Sequence, residues 1–377
     1  MEGENRTDTL AWYLLNQPES TDTPALLVYP DRILRNIRLM ISIAGNPHRL
    51  MPHVKTHKME QVVAMQIEEG IFQFKCATIA EAEMLALAGA RQVLLAYQLT
   101  ATKALRWQQL IRQYPDVQFS SLVDNRESAS MLSHIFAREE MTAEVYIDVD
   151  NGMHRTGHPS GEGLYQLYLD LLDSRHLYCR GLHVYDGHIR DPEFRVRRER
   201  VQEAFRPLAA LAARLEAAGY PAPILIAGGT PSFTVHAMNP NVICSPGTCV
   251  LWDEGYHNLF KEQLFEYAAV LMMRVISRPQ PGRITLDLGH KSVAAENPVD
   301  QRISLLDRKG YRVVSQSEEH LVVDLPEDDP VAPGDVIYGI PHHICPSVAL
   351  YDEAQVVESG RITAQWPVVA RRRRITI

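Results

Sequence analysis

Lys55 lies in the run Pro52-His53-Val54-Lys55-Thr56-His57-Lys58, directly after a short apolar segment. A lysine at a strand end between two imidazoles can have its amine pKa lowered enough to attack a carbonyl and form a Schiff base. A solvated lysine beside a turn has the same local sequence, so the run needs support from elsewhere in the chain. Two glycine clusters supply it: Gly228-Gly229-Thr230-Pro231-Ser232 and Ser245-Pro246-Gly247-Thr248. Glycines let backbone N–H groups close on an anion. A reactive lysine with two anion-binding loops calls for a phosphorylated aldehyde, and pyridoxal 5′-phosphate fits that description. A second constellation, Pro341-His342-His343-Ile344-Cys345-Pro346, places an imidazole and a thiol two residues apart. In an extended chain His343 and Cys345 share a face and can reach one ion. Thiolate with imidazole suits zinc, and manganese or cobalt is compatible with two such ligands. A buried cysteine beside a capping histidine accounts for the spacing equally well.

These residues need a scaffold that brings distant segments together. Strand patterns recur at 49–54, 72–77, 92–96, 118–123, 143–149, 180–185, 223–227 and 242–244, with helical periodicity between them at 79–88, 164–172 and 201–218. Eight strands alternating with helices predict an α/β fold, a (βα)8 TIM-type barrel over residues 25–267, with chemistry at the carboxyl ends of its strands. The first strand then delivers Lys55, the fifth Asn151-Gly152-Met153-His154-Arg155, and the sixth Tyr185-Asp186-Gly187-His188. The seventh and eighth deliver Gly228, Gly229 and Thr230, and Gly247 and Thr248, where such barrels recurrently bind phosphate.

From residue 268 the pattern changes. Short strands are expected at 270–276, 284–288, 311–314, 320–323, 336–339, 354–358 and 361–367, separated by turn signals at Pro279-Gln280-Pro281-Gly282 and Pro330-Val331-Ala332-Pro333-Gly334-Asp335. Residues 268–377 therefore read as a C-terminal antiparallel β domain carrying the metal pair. The segment 1–24 is expected to pack on that domain, with 10–15 adding a strand or helix.

The net charge of −8 over 377 residues argues against a nucleic-acid binder. Arg371-Arg372-Arg373-Arg374 is the exception, and reads as a solvated strand face. No window approaches a membrane span, no signal peptide is evident, and five scattered cysteines make no disulfide framework, so a reducing cytoplasm is expected.

Taken together, the motifs resemble the fold-type III pyridoxal-phosphate enzymes, the alanine racemase-like barrels, and more closely their D-threonine aldolase and D-serine dehydratase branch. The resemblance rests on the 52–58 run, Asp148-x-Asp150-Asn151-Gly152-Met153-x-Arg155-x-Gly157, Gly228-Gly229-Thr230, Pro246-Gly247-Thr248, Ser317-Glu318-Glu319-His320 and His343-x-Cys345-Pro346. It implies Lys55 as the Schiff-base lysine, Arg155 at the cofactor's phenolate oxygen, and Tyr185 near the pyridine nitrogen. His188 is a candidate substrate-side acid or base, with a structural loop histidine as the alternative. His343 and Cys345 would hold a divalent ion that binds the substrate's 3-hydroxyl. The resemblance also implies a homodimer acting on a D-amino acid. Cys345 stands where the aldolase pattern has aspartate, which favours the dehydratase reaction, to a 2-oxo acid and ammonia, over cleavage to glycine and an aldehyde. A racemase or a non-catalytic cofactor carrier would share Lys55 and the phosphate loops but leave the metal pair unexplained.

Overall fold

The computed structural model describes residues 11–306 and 308–377. The chain forms two compact units: the described residues through Arg32 with Tyr267–Pro367, and Ile33–Glu266 with Val368–Ile377.

In the larger unit, seven parallel strands follow one another in the order Gln73–Cys76, Gln92–Gln98, Gln118–Val123, Ala143–Asp150, Leu177–Val184, Ile224–Ala227 and Val242–Cys244. Each crossover carries a helix, as parallel pairing requires. Alternation sorts the side chains. Leu94, Leu122, Tyr146 and Ile226, with Met51, form one apolar cluster, partly buried Ala96, Ile224 and Ile243 packing against it. Further along their strands, four residues past Leu94 and two past Tyr146, come the polar Gln98 and Asp148.

The expected first strand, 49–54, is not a strand. A 3-10 turn at Pro47–Arg49 leads into two isolated parallel bridges, Leu50 to Cys244 and His53 to Lys75, and a second 3-10 turn, Val54–Thr56, carries Lys55. Pro52 has no N–H to extend a ladder. The segment nonetheless bonds to both edge strands. Met51 N donates to Cys244 O at 2.8 Å, and Lys75 N donates to Pro52 O at 2.9 Å. It therefore fills the eighth position around the sheet.

The basic run is also not a strand. Val369–Arg371 is a 3-10 turn, and the exposed Arg372, Arg373 and Arg374 lead to a terminus held on this unit. Buried Glu83 accepts from Thr376 N at 3.0 Å and Ile377 N at 3.3 Å. Residues 368–377 thus belong with the parallel sheet rather than with the β domain.

The smaller unit is a nine-stranded sheet in which Arg312–Gln316, Leu321–Asp324, Arg283–Leu286, Ala269–Gln280, Ala25–Val28, Glu353–Glu358 and Arg361–Pro367 follow in order. Val336–Pro341 pairs with both Ala269–Gln280 and Ile303–Leu305. The sheet is antiparallel except between Ala25–Val28 and Glu353–Glu358, which run parallel. Residues 25–28 were expected at the start of the barrel. They lie in this sheet instead, bonded on both edges and buried throughout, which explains an apolar run without alternation. Tyr13 and Leu15 pack in the same core as Leu27, Val270, Met272 and Tyr338. Residues 11–15 form a turn and not a regular element; Leu10 lies outside the described residues.

Candidate active site

The lysine segment is fixed by its own side chains. His53 Nδ1 accepts from the Lys55 N–H at 3.2 Å, and His57 Nδ1 accepts from the Met59 N–H at 3.2 Å. Burial pushes both imidazoles well down, His57 to about 3, so both are neutral and contribute no charge beside the lysine. Lys58, at φ 56°, turns back to pair with Glu81, whose carboxylate is fully buried and also accepts from Ala77 N at 2.7 Å. Removing either partner would strand a buried charge, at a cost of about 3–5 kcal/mol.

Lys55 opens into a cavity of about 520 Å³ in the larger unit. His53, Lys55, Lys75, Asp148, Arg155, His183 and Tyr185 are among its walls. The Tyr185 ring is the meeting point: Arg155 lies 5.0 Å from its centroid, Lys75 5.7 Å and Lys55 5.9 Å. Thus Lys55, Arg155 and Tyr185, delivered by three separate segments, converge. Arg155 rides on a loop tied down by carboxylates. Asp150 accepts from Gly152 N and His154 N at 2.9 and 3.0 Å, and Asp148 accepts from Thr156 Oγ1 at 2.8 Å. Gly157, at φ +104°, ends the loop where a Cβ would lie 2.5 Å from Asp150 N.

The two glycine loops meet beside this cavity. Thr230 Oγ1 accepts from Gly247 N at 3.2 Å and from Thr248 N at 3.1 Å, and Gly229 N donates to Ser232 Oγ at 3.3 Å. The Gly229, Gly247 and Thr248 donors expected to face a phosphate are therefore engaged by hydroxyls of the loops themselves, through long bonds, while the Gly228 N–H donates to Val184 O at 2.9 Å. A Cβ on Gly229 would lie 2.9 Å from the Tyr185 ring, and one on Gly247 3.1 Å from His53 O. Glycine is what lets both loops reach the lysine and the tyrosine. Behind them, Asp186 accepts from Ser232 Oγ at 2.5 Å and bonds His236 Nε2 at 2.7 Å, all buried, locking the first loop to the Tyr185 strand. Three basic side chains, an aromatic face and a glycine cradle fit a phosphorylated aromatic aldehyde.

His188 does not join this set. It packs against Gly152, its Nε2 3.3 Å from the Cβ position, and does not line the cavity. Sequence reasoning missed Lys75, Asp148 and His183 as cavity residues. The signal was present in Phe74-Lys75-Cys76, where a charge interrupts a buried strand.

In the smaller unit the expected strand geometry at the metal pair fails. The strand ends at Pro341, His343 is the N-cap of a short helix, Ile344–Val348, and Cys345 lies in its first turn. Pro346 suits a first turn, where its missing N–H has no helical partner. His343 Nδ1 contacts the Glu296 carboxylate. Ser347 Oγ holds this corner together, donating to His343 O at 2.8 Å and accepting from Ala294 N at 3.1 Å. Glu318 and Glu319 pair instead with Lys291, at 2.7 and 3.1 Å. Among the described residues no three His, Cys, Asp or Glu side chains gather as a metal site, and no helix is long and apolar enough to cross a membrane.

A parallel α/β barrel with a lysine on its first segment, followed by an antiparallel-rich sheet, is the alanine racemase-like architecture. Residues 28–253 match the family model of the alanine racemase N-terminal domain, and residues 268–357 match a serine dehydratase-type domain. The chain belongs to the alanine racemase N-terminal domain family. It is 27% identical over 360 residues to a D-threonine aldolase of Arthrobacter sp, covering 93% of each chain. It is 32% identical over 219 residues to a D-threo-3-hydroxyaspartate dehydratase of Delftia sp. (strain HT23), covering 56% of each. The crystal structure of D-threonine aldolase from Filomicrobium marinum superposes with a TM-score of 0.85 at 27% identity, covering 93% of this chain and 96% of that one.

Proposed function

We propose that the protein is a pyridoxal 5′-phosphate- and divalent-metal-dependent lyase acting on D-3-hydroxy amino acids. Its reaction is of the D-serine dehydratase type, releasing a 2-oxo acid and ammonia. The observation that carries this reading is the convergence of Lys55, Arg155 and Tyr185 on one cavity beside two glycine loops. Pyridoxal phosphate, when bound, supplies an electron-accepting ring conjugated to the substrate's α carbon.

The chain's own residues do the rest. Lys55 Nζ would be the point of attachment and the amine placed to take the substrate's α proton. Arg155 would hold an anionic oxygen of the ring, and Tyr185 would be a neighbour that limits electron withdrawal. Gly229, Thr230, Gly247 and Thr248 would hold the phosphate if the loop hydroxyls turn aside, and Gly228, its N–H kept by Val184 O, would shape the turn beneath it. His343 and Cys345 would hold the ion, which supplies Lewis acidity toward a hydroxyl oxygen; zinc is our choice, with manganese or cobalt as alternatives.

Glu296 supports that assignment. A carboxylate at His343 Nδ1 would fix the tautomer and orientation of a ligating imidazole. Glu296→Gln is expected to weaken metal binding about 10-fold, measured by equilibrium dialysis with zinc. Unchanged affinity would remove Glu296 from the site. We also take the protein to be a cytoplasmic homodimer, free of nucleic acid and membrane.

Similarity to a D-threonine aldolase over 93% of both chains favours the second reading, retro-aldol cleavage to glycine and an aldehyde. Incubation with D-serine, D-threonine and D-threo-3-hydroxyaspartate, with and without zinc or manganese, separates the two. Ammonia with a 2-oxo acid supports the dehydratase; glycine with an aldehyde makes the enzyme an aldolase. Turnover of none, by protein that carries the cofactor, overturns both.

A further inference from the structure

We propose that Lys75 is a second acid–base amine of the cavity, exchanging its proton with His183 Nε2 while Asp148 holds the proton on His183 Nδ1. The inference rests on the lyase reading only for the use to which that proton is put.

The geometry defines the relay. Asp148 and His183 are register partners on adjacent strands, and Asp148 Oδ1 lies 2.8 Å from His183 Nδ1. A carboxylate only accepts, so Nδ1 carries the proton and the Nε2 lone pair is free to accept. That lone pair faces Lys75 Nζ at 3.5 Å. Asp148 is held ionised: its Oδ2 accepts from Gln98 Nε2 at 2.9 Å and Thr156 Oγ1 at 2.8 Å, and its pKa is lowered despite burial. Lys75 lines the cavity at 2% exposure. Among the described residues no carboxylate lies within ion-pair distance of it, an expensive setting for an ammonium.

The surrounding charges agree. Burial pushes the Lys75 amine down to about 7, and Lys55 pushes the same way. Asp148 and Asp186 oppose this, and Arg155 adds to it. The other titratable groups facing the amine are Tyr185, His53 and His183, and both histidines are shifted toward the neutral form. The step balances within the protein. The Lys75 ammonium gives a proton to His183 Nε2, the imidazolium is neutralised by Asp148, and Lys75 is left with a lone pair. Reversal restores the starting state. Two amines then let removal of one substrate proton and delivery of another be divided between Lys55 and Lys75.

The test uses holoenzyme labelled with 15N-lysine, with Lys75→Met identifying the resonance. The Lys75 amine is expected to titrate near about 7, and Asp148→Asn, which deletes an anion, to move the midpoint lower. An amine still protonated at high pH, or a midpoint indifferent to Asp148→Asn, overturns the proposal. In parallel, wild-type kcat/KM is expected to rise with pH through the same midpoint. Lys75→Met should lose that limb and about 100-fold in rate while the visible absorbance of the Lys55-bound cofactor persists. Should Lys75→Met fold poorly, Lys75→Gln gives the same two readings. A limb retained in both variants also overturns it. Absence of any lyase turnover would sink the reading above, while the NMR midpoint would still decide Lys75.

Discussion

Lys55→Ala is expected to lose the visible absorbance of the lysine-linked cofactor and about 10⁴-fold or more in turnover of D-3-hydroxy amino acids. The expectation follows from geometry. Lys55 is the amine carried on the 3-10 turn Val54–Thr56, it shares a cavity with Arg155, and its neighbouring imidazoles are neutral acceptors that cannot replace a nucleophilic amine. The alanine variant keeps the turn, because His53 Nδ1 accepts from the backbone N–H of residue 55 and not from its side chain. The fold should therefore survive, as near-UV circular dichroism would show. An intact absorbance band in Lys55→Ala would transfer the role to another amine, and Lys75 would be the one to examine.

Cys345→Ala is expected to reduce bound metal and to lower turnover by about 10²–10³-fold, the worth of several kcal/mol of Lewis-acid stabilisation. The cofactor band should persist, because Lys55, Arg155 and the glycine loops all lie in the larger unit and Cys345 in the smaller one. Metal content by atomic absorption and the visible spectrum check the two halves. A chelator should reproduce the effect in the wild type, with zinc restoring activity there and not in the variant. Turnover indifferent to both treatments would fit a racemase and would end the metal assignment. Loss of the cofactor band together with the metal would instead make the 343–348 corner a folding element.

The parallel strands were legible because most of their residues are buried and the runs are rich in apolar and β-branched residues. Residues 118–123 and 242–244 match their strands end to end. The convergence of Lys55, Arg155 and Tyr185 was legible because barrel topology brings the ends of distant strands to one face. Other features were not. Residues 25–28 have the same apolar character as a barrel strand, and only their partners assign them to the other sheet. The lysine segment has the composition of a strand, but Pro52 and the turn-forming His53 leave it only two bridges. At His343 the spacing suggested an extended face, whereas Pro346 is compatible with a helical turn as well, and local sequence does not choose between them. Lys75 was visible as an intruding charge, but its partner His183 lies 108 residues away and is defined only by the sheet's closure.

That closure has a kinetic meaning. Seven of the eight positions around the larger unit's sheet are paired ladders, and the remaining one is stitched by single bridges at Leu50 and His53. Lys55 thus follows the part of the ring joined by isolated bridges rather than ladders, where local opening is expected to cost least. A cofactor joined to Lys55 and gripped by the loop at Gly247, whose neighbour Pro246 accepts the His53 N–H at 2.8 Å, would fasten that seam from within. Loading would then act as the last stage of folding for this unit.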